Sequence, residues 1–392
     1  MVETIEDLRE VFTKWYKISD EDMELIDITM AAAIDRRIPG DPIWLYIVGP
    51  SGFMKTELCR SLGLLPEVYT LDSLTSKALI SGLVDKERKP VAGLLKKINN
   101  KVLVLKDFTA ILSMRTDQRK QVLAQLRNAY DGNLEAGYGT LPEKISQQSN
   151  FGLIAAVTPI LDSHTITLVT LGPRCIIVRI HNPPRRDAAK AARSNLGKET
   201  EMREEVSKAV LSFVESRDYD RKIRISDERG TMIDALADYA AIGRTHVMTK
   251  SYGGKIREMT NPSIEAPTRL SKQLTKLGIG LATIRGHTRI TNEDYETLKR
   301  VAKDTVIPNY QTIIDLFTDD LDKNTSAYGI HTEKRLHLQT TINYLEKMQA
   351  IGIVEELTTA EPTKSWRESE TPRLWQLTQY YKDTINAAGL GG

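Results

Sequence analysis

The chain has 392 residues, a formal net charge of +2, and 41% hydrophobic and 27% charged residues, a composition typical of soluble globular proteins. A chain of this length is too long to fold around one compact core, so we expect two or three domains. The small net charge excludes a polycation, so basic groups for nucleic-acid binding would have to be concentrated locally. No apolar run or N-terminal pattern indicates membrane insertion or secretion. Cys59 and Cys175 match no metal-ligand spacing, so we expect buried thiols in a reducing, cytoplasmic compartment.

The first predicted elements are two helices. Apolar residues from Leu8 to Tyr16 recur at the spacing of one helix face. Ser19 with Asp22 resembles a capping box that opens a second helix, which runs to Ala33 and ends before the sequence IPGDP.

Strand and helix patterns then alternate up to residue 180, which is typical of a parallel sheet with covering helices. The strand patterns are IWLYIV, EVYTL, VLVL, GLIAAV and CIIVRI. HNPPRRD ends this alternation, and only helices are predicted from there to about residue 305. The predicted domains are N-terminal helices at 1–34, an α/β core at 35–186, a helical lid at 187–306, a C-terminal module at 307–383 and a loose tail at 384–392.

The segment GPSGFMKT lies between a predicted buried strand and a predicted helix. A phosphate-binding loop needs glycines whose backbone amides can point into a concave nest, a lysine for the β and γ phosphates, and a hydroxyl for Mg²⁺. Met54 stands where the usual pattern has glycine before the lysine. The pattern nevertheless predicts a phosphate-binding loop rather than an ordinary turn with a chance Lys-Thr pair. Its residues are Gly49, Pro50, Ser51, Gly52, Phe53, Met54, Lys55 and Thr56.

With this loop, the chain resembles the AAA+ ATPases over roughly residues 35–305, and within them the clade of minichromosome maintenance helicases and MoxR-type ATPases. The minichromosome maintenance loops share the spacing Gly-x-x-Gly-x-x-Lys-Ser/Thr with a residue other than glycine before the lysine. The resemblance implies an α/β P-loop NTPase fold with a parallel sheet, followed by an all-α lid. It also implies ATP and Mg²⁺ as cofactors and a homo-oligomeric ring, expected to be a hexamer.

The resemblance also implies roles for residues farther along the chain. GLIAAVTP resembles the strand that carries the first sensor, so Thr158 would orient the attacking water. LGPRCIIVRI resembles the arginine-finger segment, so Arg174 would stabilise transition-state charge in the site of a neighbouring subunit. The first lid helix would offer Arg269 as the second sensor, in the same subunit. Without the resemblance, each arginine is more typical of a surface ion pair.

A hairpin is predicted between the helix that ends at Tyr130 and the first-sensor strand, because two short segments flank a Gly-Thr-Leu-Pro turn. In the helicase-like clade, a hairpin at this point faces the central channel and touches DNA. The resemblance therefore makes Tyr138 a candidate for base stacking and Lys144 a candidate for phosphate contact. An exposed hairpin with incidental polarity is the open alternative.

The strand VLVL resembles the Walker B strand, but the residues after it depart from the family. Lys106 stands in place of the Asp that helps to hold Mg²⁺, and Asp107 stands in place of the Glu that polarises water. A protonated lysine cannot ligate a cation. Three interpretations stay open: Asp107 does both tasks with Thr56 and the phosphates completing the metal shell, Lys106 pairs with another acid and leaves hydrolysis slow, or nucleotide is only a structural or switching ligand. The presence of the other site residues favours a working ATPase.

The C-terminal module has helices followed by two strand patterns, and this layout resembles a winged helix. If the module docks on DNA, the recognition helix and the turn before it would offer Arg335, Gln339, Thr340, Asn343 and Lys347. The wing tip would add Lys364 and Arg367, although flanking acids weaken a phosphate-binding patch there. A protein-contact module is the alternative.

Taken together, the resemblance implies a ring-forming, helicase-like ATPase that binds DNA and translocates on it or remodels it. A wider role in DNA replication would need protein partners, and no membrane partner is expected. One alternative is a MoxR-like ATPase that remodels proteins. The other is a nucleotide-gated DNA-binding regulator with little hydrolysis.

Overall fold

A computed structural model describes residues 2–75, 79, 93–136, 145–164, 172, 174–181, 184–252, 255–357 and 373–391. The chain divides into two compact units. The first unit comprises Met1–Ile225 and Lys272–Val301, and the second comprises Ser226–Ser271 and Ala302–Gly392. Among the described helices, none is long and apolar enough to cross a membrane.

A parallel sheet lies in the first unit. Its strands are β1 (Trp44–Val48), β2 (Val68–Leu71), β3 (Val102–Leu105), β6 (Gly152–Val157) and β7 (Ile176–Arg179). They lie in the order β2-β3-β6-β1-β7, and every neighbouring pair is parallel. All residues of β1, β3 and β6 are buried, as expected for strands covered on both faces. The predicted α/β fold with a parallel sheet is confirmed.

Helices accompany this sheet. Those that lie wholly in the first unit are Ile5–Trp15, Glu24–Ala33, Lys55–Ser61, Leu94–Ile98, Thr109–Leu112, Thr116–Tyr130, Arg185–Ser194 and Glu199–Glu215. Thr268–Ile284 and Asn292–Thr305 supply residues to both units. The two predicted N-terminal helices are present. The hydroxyl of Ser19 accepts from the backbone N–H of Asp22 in a short 3₁₀ turn, and the second helix begins just after it.

Buried aromatic side chains pack against the sheet. Trp44, Tyr46, Phe108 and Phe151 belong to one apolar cluster, in which the rings of Tyr46 and Phe108 lie 4.8 Å apart. The indole N–H of Trp44 donates to the carbonyl of Phe151 at 2.9 Å, so this buried polar group is satisfied. Phe108 directly follows Asp107 and is buried, whereas Asp107 itself is exposed at the end of β3.

A hairpin precedes β6, where the sequence predicted one. Its strands are β4 (Asn133–Ala136) and β5 (Ile145–Gln148), which pair antiparallel along their whole length. The predicted DNA contacts Tyr138 and Lys144 lie between these strands and outside the described residues, so their roles stay predictions.

The second unit combines helices with two small antiparallel sheets. The helices that lie wholly in it are Asp227–Gly243, Pro308–Ile314, Ala327–Lys334, Leu338–Ala350 and Gln379–Ala387. One sheet pairs β8 (Thr249–Tyr252) with β9 (Lys255–Met259). The other contains β10 (Thr325–Ser326), β11 (Val354–Leu357) and β12 (Leu374–Leu377) in the order β10-β12-β11. Helices followed by two paired strands were predicted for this part of the chain.

The prediction of an all-helical lid at 187–306 is wrong, because β8 and β9 interrupt the helices. The sequence signal for this hairpin is the pair Gly253-Gly254 between the two strands, which suits a short turn. The compact units also divide the predicted lid, with boundaries after Ile225, Ser271 and Val301. The lid prediction therefore joined segments that pack in different units.

The prediction of a loose tail from residue 384 is also wrong for the described residues. The last helix, Gln379–Ala387, includes its first positions, and Ile385, Ala388 and Leu390 are buried. The helix begins with a cap, since the hydroxyl of Thr378 accepts from a backbone N–H of its first turn. The burial of these three apolar residues was not predicted, because the sequence ends in a glycine-rich segment.

Candidate functional site

The candidate site lies at the carboxyl edge of the parallel sheet. The 49–56 loop follows β1, Asp72 follows β2, Lys106 and Asp107 follow β3, and Thr158 follows β6. Carboxyl ends of parallel strands meet at one edge, where α/β proteins commonly bind ligands. A cavity of about 520 Å³ opens there, and residues from all four strand ends line it. Apart from the loop, its lining includes Asp72, Lys106, Asp107, Thr109 and Thr158.

The loop backbone explains where glycine is required. A Cβ atom at Gly49 would lie 2.6 Å from the Cδ1 atom of Ile180, so a side chain there would force the Ile180 side chain to move. Gly52 has a φ of 82°, in the left-handed region that glycine tolerates best. Met54 has a φ of 23°, so a non-glycine residue holds a conformation that costs of order 1–3 kcal/mol. This strain is the physical reason that a glycine suits the position before the lysine.

Lys55 turns back over its own loop. Its side chain is buried, with the residue 6% exposed, and its ammonium group donates to the carbonyl of Pro50 at 2.5 Å. Burial lowers the pKa of Lys55, while Cys59 and Asp107 act in the opposite direction. Cys59 is itself buried, as is Cys175, in agreement with the prediction of buried thiols. The ammonium group of Lys55 therefore lies inside the concave side of the loop, next to the cavity.

Lys106 forms an ion pair with an acid that was not identified from the sequence. Its ammonium group lies 2.6 Å from the Oδ1 atom of Asp72, at the end of the neighbouring strand. Leu71 and Leu105 are partners in the β2–β3 register, so the two residues that follow them emerge side by side. The structure shows the pairing of Lys106 with another acid, while the rate of hydrolysis and the tasks of Asp107 stay predictions. Sequence reasoning missed Asp72, although its position directly after a strand pattern could have indicated it.

Asp107 and Thr158 are both near Thr109. The Oδ1 atom of Asp107 accepts from the backbone N–H of Thr109 at 2.9 Å, and the other carboxylate oxygen stays available at the exposed end of β3. The hydroxyls of Thr109 and Thr158 lie 3.3 Å apart, and the backbone N–H of Thr158 donates to the Thr109 hydroxyl at 3.2 Å. Thr109 therefore connects the predicted acid with the predicted first-sensor residue. It was visible in the sequence as the last residue of KVLVLKDFT.

The predicted magnesium ligands fit a metal that is held mainly by phosphate. Thr56 and Asp107 line the same cavity and supply a hydroxyl and a carboxylate. Within the described residues, no group of three or more His, Cys, Asp or Glu side chains could hold a metal ion alone. Mg²⁺ in nucleotide sites is commonly bound through one or two carboxylates together with substrate phosphates and water, and a hydroxyl with one carboxylate is compatible with that mode of binding.

Arg174 has its guanidinium group in an ion pair with Asp131. Its Nη2 atom lies 2.7 Å and 2.9 Å from the two carboxylate oxygens, and the residue is 8% exposed. A Cβ atom at Gly172 would lie 2.5 Å from the Nη1 atom of Arg174, so a glycine there leaves room for this arrangement. Gln273 donates to the backbone carbonyl of Arg174 at 2.7 Å. Among the described residues that line the cavity, Arg174 is not included.

The remaining predicted residues belong to the second unit. Arg269 donates to Glu265 at 3.1 Å, one helical turn earlier. On the predicted recognition helix, Gln339 donates to Asn343 at 3.1 Å, so these two amides are engaged with each other. The Nζ atom of Lys347 lies 5.8 Å from the centre of a neighbouring tyrosine ring, and burial lowers the pKa of this lysine.

Arg335 and Thr340 are exposed, whereas Gln339, Asn343 and Lys347 are half-buried. Arg335 ends helix Ala327–Lys334 with a φ of 54°, which directs the chain into the next helix. The predicted wing-tip residues Lys364 and Arg367 lie outside the described residues. Of the predicted recognition surface, the described part therefore presents mainly Arg335 and Thr340 to solvent.

No protein-family model matches the chain, and no curated protein matches it either. The class that the fold itself defines is an α/β protein with a five-stranded parallel sheet. Its distinguishing feature is a cavity at the carboxyl edge of that sheet, lined by a glycine-containing loop, two lysines, two acids at strand ends and three threonines.

Proposed function

We propose that this protein is an AAA+-type ATPase that binds ATP with Mg²⁺ in the cavity at the carboxyl edge of the sheet. One observation carries the proposal: side chains from four strand ends, including Lys55, Thr56, Asp107 and Thr158, line the same cavity of about 520 Å³. These residue types match the parts that phosphoryl transfer requires, namely a phosphate cradle, a metal ligand and a group that positions water.

Each side chain has a task in this proposal. Lys55 leaves the carbonyl of Pro50 and binds the β and γ phosphates, as a compact ammonium group does in such loops. Thr56 and Asp107 would hold Mg²⁺, which neutralises phosphate charge when bound. Asp107 also polarises the attacking water, because it is exposed and one of its oxygens is free of the Thr109 contact. Thr158, held by Thr109, orients that water.

A homo-oligomeric ring, expected to be a hexamer, is part of the proposal. It is supported by the family resemblance and by the position of Arg174 in the segment that resembles the arginine finger. To act in a neighbouring subunit's site, the guanidinium group would have to exchange Asp131 for phosphate oxygens. Asp131 is half exposed, so this ion pair is accessible to exchange.

DNA is the proposed partner. The hairpin of β4 and β5 precedes β6, and the resemblance to the helicase-like clade would make it the DNA-contacting hairpin. In the second unit, the sheet of order β10-β12-β11 and the helix Leu338–Ala350 resemble the layout of a winged helix, and this resemblance would make that helix the recognition helix. These two features support a DNA-directed motor.

A second candidate function is favoured by the ion pair of Lys106 with Asp72. A lysine in place of the usual metal-binding acid leaves fewer carboxylates for hydrolysis. A nucleotide-gated DNA-binding regulator with slow turnover would use the same cavity to bind ATP. The two candidates differ in turnover and in its response to DNA.

An ATPase assay of the full chain with and without DNA tests the proposal, with mass measured with and without ATP. We expect turnover that DNA stimulates and that falls to background in Lys55→Ala. The matched control is Lys96→Ala, which removes an exposed lysine from helix Leu94–Ile98 and should leave turnover unchanged. ATP binding without turnover would favour the regulator, and turnover that ignores DNA would argue against the DNA motor.

A further inference from the structure

The cavity contains two lysines rather than one. Lys55 comes from the phosphate loop after β1, and Lys106 comes from the end of β3. Resting on the proposed nucleotide site, we propose that Lys106 is a second phosphate-binding cation, which exchanges Asp72 for the terminal phosphate of a nucleoside triphosphate and makes triphosphate binding independent of Mg²⁺.

The sheet brings the two lysines to the same side of the cavity. β1 and β3 are separated by one strand, β6, so their ends lie about 10 Å apart, twice the spacing of adjacent strands. Leu105 is paired with Leu71 on one side and with Ala155 on the other, so Lys106 leaves the sheet between two strands that also reach the cavity. Both lysines line the same cavity, so a phosphate group bound there can meet both side chains.

The ion pair of Lys106 is suited to exchange. The Asp72 side chain is 86% exposed, whereas the Lys106 side chain is 21% exposed. An ion pair with a well-hydrated partner contributes little to stability, so replacing that partner loses little. A terminal phosphate offers more negative charge and more oxygen acceptors than a single carboxylate, and hydrogen bonds between charged groups are the stronger ones. Lys106 is therefore expected to bind a terminal phosphate more strongly than it binds Asp72.

The charge balance of the site explains the expected independence from Mg²⁺. An acid at the position of Lys106 would add a negative charge beside the phosphates, and a bound cation would have to offset it. Lys106 instead supplies a positive charge, so the net charge beside the phosphates is two units more positive than with an acid at this position, which favours triphosphate binding. Asp107 and Thr56 remain as the oxygen ligands through which Mg²⁺ would be held.

A structural role for the pair makes different predictions. If Lys106 and Asp72 only join the ends of β2 and β3, then removing either partner should lower stability in the same way and leave ATP affinity unchanged. If Lys106 binds phosphate and Asp72 competes for it, the two substitutions should shift ATP affinity in opposite directions. The sign of these two shifts therefore separates the roles.

The experiment is equilibrium binding of ATP and AMP to the full chain by calorimetry, in EDTA and in Mg²⁺. We expect the wild type to bind ATP in EDTA and Lys106→Gln to weaken that binding by about 10-fold or more, the worth of one contact between charged groups. Asp72→Asn should strengthen ATP binding by up to about 5-fold, since a weak competing pair is removed. AMP, which lacks the outer phosphates, should be unaffected by either change.

Three further variants complete the design. Lys106→Arg keeps the charge and should retain ATP binding in EDTA, Lys106→Asp should make binding depend on Mg²⁺, and Lys96→Gln is the exposed-lysine control. ATP affinity in EDTA that is equal in Lys106→Gln and the wild type would overturn the proposal, as would weaker binding in Asp72→Asn. A wild type that binds ATP in neither condition would instead overturn the nucleotide site itself. Thermal unfolding of each variant shows whether a loss of binding comes from a loss of fold.

Discussion

The cavity edge in the first unit and the predicted recognition helix in the second unit were both assigned from sequence patterns, but they differ in how many residues meet. At the sheet edge, the loop, Asp107 and Thr158 all line one cavity. On helix Leu338–Ala350, Gln339 and Asn343 are engaged with each other, and Lys347 is half-buried. Parallel strands bring their ends together by hydrogen bonding, whereas the exposed face of a helix depends on what packs against it.

This comparison predicts that substitutions at the sheet edge have larger functional effects than substitutions on the helix. The largest effect is expected at the acid after β3. Asp107→Asn should lower ATP turnover by roughly 100- to 10,000-fold, because a positioned base contributes about that much. ATP affinity in EDTA should not fall, since the substitution preserves the side-chain shape and removes a negative charge from beside the phosphates.

Turnover and ATP affinity, measured by phosphate release and calorimetry, check this prediction. The control is Asp117→Asn, an exposed acid on helix Thr116–Tyr130 whose partner, Arg115, is also exposed. Undiminished turnover in Asp107→Asn would show that another group polarises the water, and the contrast between the two regions would then lose its strongest support.

On the second unit, the effect is expected to be smaller and confined to DNA binding. Arg335→Ala should weaken DNA binding by about 10-fold at low salt, because Arg335 is exposed beside the helix. The slope of log affinity against log salt concentration should fall by about 1, which corresponds to the loss of one phosphate contact. Lys347→Ala should have a lesser effect on DNA binding, since that side chain is half-buried against Tyr344.

Fluorescence anisotropy of labelled duplex DNA across a salt series measures both variants. Lys250→Ala is the charge-matched control, because it removes an exposed lysine that pairs with Glu258 in the same unit. Equal losses in Arg335→Ala and Lys250→Ala would indicate a general charge effect, and the helix would no longer be distinguished from the rest of the unit.

The smallest effect is expected in the backbone of the phosphate loop. Met54→Gly should change the free energy of unfolding by less than about 1 kcal/mol, because relief of the positive φ offsets the added freedom of the unfolded chain. Met54→Val should destabilise by at least about 1 kcal/mol, since a β-branched residue tolerates positive φ poorly. Urea denaturation compares the two variants, and a Val variant as stable as the Gly variant would show that the loop relaxes.

Much of the first unit could be predicted from the sequence. The strand patterns and the 49–56 loop are local, and each parallel strand covered on both faces is a short apolar run. The pairing of Lys106 with Asp72 could not be predicted, because it depends on which strands are neighbours. The ion pair between Arg174 and Asp131 joins residues 43 positions apart and likewise depends on packing.

The second unit was harder to predict. The strands β8 and β9 were missed because a hairpin signal of two glycines lay within a long stretch of helical patterns. The tail was expected to be loose, but Ile385, Ala388 and Leu390 are buried. Burial is a property of the packed unit, so a glycine-rich ending does not reveal it.

Local sequence patterns were enough to predict the strands of the sheet, the 49–56 loop and the candidate residues at the strand ends, because hydrophobic periodicity and glycine placement act over a few residues. Three further features became visible only in the folded chain: the strand ends share one cavity, Asp72 pairs with Lys106, and Arg174 pairs with Asp131. These outcomes follow from strand order and side-chain packing, which depend on residues far apart in the chain.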